Sequence, residues 1–151
     1  MKLTNVLTLN ALLLLVFGIA CALYGPLIAA FFGVPDLPMQ EIDVYWAIVS
    51  FIRLFGAALF GFGILLWAAR SIFAAPNNPE VRRGVLFALL LAHLFATVIV
   101  LVQQWSVWNT LAGWVALILF ACFGAAYAYF LFTRPQSWQT PAAGPANEMT
   151  A

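Results

Sequence analysis

The sequence predicts an all-α integral membrane protein, a four-helix bundle of up-down-up-down topology. Three observations carry that expectation. Of 151 residues, 66% are hydrophobic and only 7% charged, whereas a soluble domain carries roughly a quarter charged residues. The apolar residues gather in runs of about 20, the length that crosses a bilayer as a helix. Those runs are apolar on every side and show no alternation of period two, which excludes a β-barrel. The same hydrophobicity excludes disorder for the body of the chain. A net charge of +1 gives no clustered basic surface for a nucleic-acid partner.

The spans fall at about residues 6–24, 44–69, 85–104 and 111–133, within a transmembrane domain covering residues 1–134. The first stops at Gly25-Pro26 and the second is closed by Arg70. Asp43 precedes the second span and can accept from its first free N–H groups. Asn78-Pro79-Glu80 reads as N-cap, N1 and N2 of the third helix, with the acid at the positive end of the dipole. Asn109 or Thr110 can cap the fourth. Between the first two spans, Pro26–Gly33 is too short to cross again and is expected to lie flat at an interface. Residues 135–151, with three prolines and little apolar surface, read as a disordered cytoplasmic tail. Lys2, the stretch Leu9–Ala20 and Ala20-Cys21-Ala22 loosely match a signal peptide, and Gly18-Ile19-Ala20-Cys21 a lipobox. The apolar run continues past Cys21, which favours an uncleaved helix.

Orientation follows from the cations. With four crossings, Lys2, Arg70, Arg82, Arg83 and Arg134 fall on one side, and Asp36, Glu41 and Asp43 on the other. The positive-inside rule then makes both termini cytoplasmic in a plasma (inner) membrane. Tyr24, Tyr45, Trp46, Trp105, Trp108 and Trp114 mark the outer boundary, Trp67 and Trp138 the inner one.

Arg53 is the costly residue. It sits about ten residues into the second span, roughly 15 Å along the helix, where an Arg costs about 2.5–3.5 kcal/mol on insertion scales. No Asp or Glu lies within a span to neutralise it. Its side chain leans toward the helix N-terminus and should snorkel outward. Gly56, Ala57 and Gly61 lie near its face, and Ala57 with Gly61 makes a small-xxx-small pair that lets a helix approach. Arg53 therefore faces the bundle interior in this reading. There it either locks packing through neutral acceptors or anchors a phosphate, a carboxylate or a quinone carbonyl. Thr97 and Gln104, on one face of the third helix with His93, lie at depths it can reach.

His93 is the single histidine. It reads as a satisfied polar residue between helices, or as a haem or chlorophyll ligand. No second histidine or Cys-x-x-Cys-His supports the haem reading, and one His cannot make a zinc site, so no cofactor or metal is expected. Cys21 and Cys122 lie at different depths and read as packing residues, not a disulfide. Ala121 with Ala125, and Gly124 with Ala128, are small pairs suited to helix contacts or dimerisation. Asn5, Thr8 and Asn10 either bond across helices or face headgroups. No phosphate loop, nucleophile elbow or catalytic carboxylate pair occurs, so no catalytic residue is assigned.

A short first helix, then Arg53-Leu54-Phe55-Gly56-Ala57-Ala58-Leu59-Phe60-Gly61-Phe62-Gly63 closed by Arg70, then a helix with a central His93, resembles small four-helix bacterial inner-membrane proteins. In size and layout these are similar to the DoxX-like group. The resemblance covers roughly the first 133 residues and implies the bundle, not an activity. The residues alone favour a structural or accessory membrane subunit, working as a homo-oligomer or within a membrane complex. The alternatives are a binder or carrier of a lipid- or quinone-like amphiphile anchored by Arg53, and an oxidoreductase or pigment-binding subunit using His93.

Overall fold

The computed structural model describes residues 2–34, 42–74 and 79–133. Asp36, Glu41, the Asn78 cap, Arg134, Trp138 and the expected tail at 135–151 lie outside the described residues. The chain forms α1 (Leu3–Leu23), α2 (Gly25–Phe31), α3 (Ile42–Ala74), α4 (Pro79–Gln103) and α5 (Leu111–Phe132). A π-helical turn, Gln104–Trp108, extends α4. All except α2 are long and apolar enough to cross a membrane, and no strand occurs among the described residues. At 33 residues, α3 is about 50 Å long, well beyond the ~30 Å of a hydrocarbon core.

The element ends follow from local chemistry. α1 breaks at Tyr24, and Pro26 starts α2, where its missing N–H costs nothing. α2 closes on Gly33 at φ 80°. The N–H groups of Gly33 and Val34 return to Ala30 O and Ala29 O, a Schellman ending that only glycine adopts without strain. α3 begins at Ile42, so Asp43 lies inside its first turn rather than ahead of it. There the helix dipole still favours the carboxylate. Asn109 takes a left-handed conformation at φ 41°, and the Thr110 hydroxyl accepts from the Gly113 N–H at 3.3 Å to start α5.

Two helix pairs build the bundle: α1 on α3, and α4 on α5. The first seam is set by glycine. A Cβ on Gly18 would lie 2.6 Å from Phe60 N and 2.8 Å from Gly56 O; one on Gly56 would lie 2.6 Å from Ala22 N and 2.7 Å from Gly18 O. Gly63 similarly meets Leu15. Backbone therefore touches backbone, which side chains would prevent. Ala57 is exposed and Gly61 has nothing within 4 Å of its Cβ position, so the expected Ala57/Gly61 pair lies off this seam. The reason is angular: Gly56, Phe60 and Gly63 already fill the face toward α1, and Ala57 and Gly61 fall beside it.

The two pairs join at one end. Leu3, Val6, Leu7 and Ala11 of α1 pack with Leu66 and Phe73 of α3, Leu86 and Leu90 of α4, and Phe123 and Tyr127 of α5. Arg70 fastens the rim of this core. Its guanidinium carbon lies 3.6 Å from the Trp67 ring centroid, its Nε donates to Trp67 O, and Nη1 reaches Thr8 Oγ1 at 3.5 Å. Away from this end α1 and α5 touch only sparsely.

Candidate functional site

Where α1 and α5 part, a cavity of about 210 Å³ opens between them. Leu13 and Phe17 of α1 face Val115 and Leu119 of α5, and Phe31 and Phe32 close it on the α2 side. Asn10 and His93 line its deep end, next to the shared core. The walls are otherwise apolar.

The deep end holds a buried polar cluster from three helices. Asn10 is 3% exposed, His93 8% and Tyr127 0%. Asn10 Nδ2 lies 2.7 Å from Tyr127 Oη and 3.2 Å from His93 Nε2, while His93 Nδ1 lies 2.8 Å from Leu89 O. A carbonyl oxygen can only accept, so Nδ1 carries the imidazole proton and Nε2 presents a lone pair. Asn10 must then turn its NH₂ toward His93, with one hydrogen to Nε2 and the other to Tyr127 Oη. Phe120, Phe123 and Tyr127 surround the ring, with centroids 6.0, 5.8 and 5.1 Å from that of the imidazole. Gly124 is buried, and a Cβ there would lie 3.6 Å from His93 Cβ, so α5 comes close to α4 beside this ring.

This assignment leaves one group over. Asn10 Oδ1 accepts no hydrogen bond from the described residues. Nor is it sealed: the side-chain atoms that are both enclosed and unbonded include Gln104 Oε1 but not Asn10 Oδ1. An unbonded oxygen on a side chain that lines the cavity is thus the acceptor left over at its deep end.

The residues expected from sequence are not brought together around Arg53. Arg53 is exposed on α3, its Cγ 3.3 Å from where a Gly25 Cβ would lie, and it does not line the cavity. It makes no hydrogen bond or ion pair with the described residues. It stands four positions after the buried Val49 and three before Gly56, on the flank of the α3 seam. Thr97 bonds back to His93 O at 2.7 Å, within its own helix. Gln104 is 1% exposed and donates from Nε2 to Thr110 O at 2.9 Å, which ties the π-turn to the start of α5. His93 alone of the four reaches the cavity. Ala121 and Ala125 are exposed on α5, and Ala128 packs at the edge of the shared core.

Of the two alternatives the sequence leaves for Asn10, bonding across helices or facing headgroups, the structure shows the first, while nothing in the sequence singles out Tyr127. A shared-depth argument could have found both, since each lies within about two turns of the same end of the bundle as the cationic rim. A metal on His93 would need the Nε2 lone pair that Asn10 engages, although an Nδ1–H bonded to a carbonyl does orient ligating imidazoles. Among the described residues no group of three His, Cys, Asp or Glu could hold a metal ion. Cys21 and Cys122 are both free thiols. Comparison with protein-family models, curated proteins and solved structures gives no match to this chain.

Proposed function

We propose that the chain is a multi-pass membrane protein that crosses the bilayer four times, up-down-up-down, with both termini cytoplasmic. In this reading it holds an amphiphile in the cleft between α1 and α5 without transforming it. The orientation rests on Lys2 just before α1, Arg70 near the C-terminal end of α3, and Arg82 and Arg83 at the start of α4, all at one end of the helices. The binding role rests on one observation: an apolar cleft that ends on a buried polar cluster contributed by three helices. Packing alone favours filling such a space with side chains.

Size narrows the role. A cavity of about 210 Å³ is below the ~300–1,000 Å³ of pockets that enclose a whole drug-sized ligand. It exceeds the ~150 Å³ that accommodates a benzene ring. The cleft therefore takes the head and first carbons, and the remaining tail stays among lipid chains. Arg53, outside the cleft, is a snorkelling cation rather than the anchor.

Native mass spectrometry of protein released from membranes in mild detergent tests this. One amphiphile per chain should be retained, lost in Ala116→Trp, which fills the cleft wall, and kept in Arg53→Ala. A profile that ignores Ala116→Trp, or one abolished by Arg53→Ala, removes the site from this cleft.

A further inference from the structure

Resting on that reading, we infer that the cleft selects an amphiphile whose head is a neutral hydroxyl donating to Asn10 Oδ1. The hydrogen-bond inventory at the deep end makes the choice. Both Nδ2 hydrogens of Asn10 are committed, to His93 Nε2 and to Tyr127 Oη. His93 has given its one N–H to Leu89 O, and Thr97, one turn away, has given its hydroxyl proton to His93 O. What remains on a cavity-lining side chain is an acceptor, and no N–H or O–H of Asn10 or His93 is left to offer. A head that only accepts, such as a quinone carbonyl, ketone or ester, would place two lone pairs face to face. A charged head would find no counter-ion, because the lining residues carry no carboxylate, Lys or Arg. An alcohol or phenol meets the need with one O–H, and sterols, isoprenols, reduced quinols and diglycerides share that chemistry.

The network also predicts which substitution spares the preference. Tyr127→Phe removes one acceptor and leaves an Asn10 N–H unpaired against the buried core rather than in the cleft, so Oδ1 is still the group the cleft offers. Tyr127 does not line the cavity, so the substitution leaves both the walls and the head preference in place.

Three probes with one shared diazirine-bearing alkyl chain, ending in a hydroxyl, a methyl ether or a methyl ketone, test this. They are photolysed with the full chain in phosphatidylcholine nanodiscs, and labelled peptides are read by mass spectrometry. The hydroxyl probe should label α1 and α5 cleft peptides about tenfold more than either other head, in keeping with one net hydrogen bond. Asn10→Leu should level the three heads, and Tyr127→Phe should keep the hydroxyl preference. Equal labelling of the cleft by all three heads overturns the hydroxyl inference and leaves amphiphile binding standing. Loss of the hydroxyl preference in Tyr127→Phe overturns the hydrogen-bond assignment. Absence of cleft labelling by any probe overturns both.

Discussion

Gly56→Ala adds a single methyl group to a seam with no room for it. That Cβ would sit 2.6 Å from Ala22 N, 2.7 Å from Cys21 Cβ and 2.7 Å from Gly18 O, where ordinary contact begins at 3.4 Å. The shortfall is about 0.8 Å, and a radial gap of that size forfeits a quarter to a half of each dispersion contact it opens. The obstructing atoms are backbone or Cβ, so no rotamer change relieves them and the helices themselves must part. Overpacking typically costs 1–3 kcal/mol, and rigid atoms on both sides place this substitution at about 2–3 kcal/mol. Gly61→Ala is the matched control, with nothing within 4 Å of its Cβ and an expected change within about 0.5 kcal/mol. Unfolding in mixed micelles of rising SDS fraction, followed by circular dichroism and tryptophan fluorescence, reads both. Equal midpoints for Gly56→Ala and Gly61→Ala would refute the seam.

Other consequences follow from the same contacts. Asn10→Leu strands His93 Nε2 and Tyr127 Oη in an apolar interior and should cost about 1–3 kcal/mol, part of which Tyr127→Phe recovers in the double variant. Simple additivity of the two changes in the SDS titration would contradict the cluster. Thr110→Ala removes the α5 cap and should cost about 1 kcal/mol, measured in the same assay; no change would mean the hydroxyl does not cap. In a background with Cys21 and Cys122 replaced by alanine, Ser71→Cys should react with a membrane-impermeant maleimide only after the cytoplasmic side is exposed. Ser106→Cys should react from outside, and the reverse pattern would invert the orientation.

The helices were legible in the sequence because span length and hydropathy are local properties. Pro79 opening α4 and Thr110 capping α5 were legible for the same reason. Partnership was not. Gly56, Ala57 and Gly61 are all small, and only the position of α1 decides which of them face a neighbour. Arg53 looked like an interior residue because small residues flank it, yet the turn from Val49 to Gly56 carries it just past the seam. The polar cluster joins residues 83 and 117 positions apart. No periodicity within one helix encodes such a meeting, although the solitary His93 marked where it takes place.

The central claim is that the α1–α5 cleft holds a defined amphiphile, not bulk lipid. Photo-leucine placed in turn at Leu119, which lines the cleft, and at Ile118, which does not, tests it in native membranes. At Leu119 the account predicts capture of one hydroxyl-bearing species that excess phospholipid does not displace, and at Ile118 a mixture that follows bilayer composition. Capture of the same lipid mixture at both positions would contradict it.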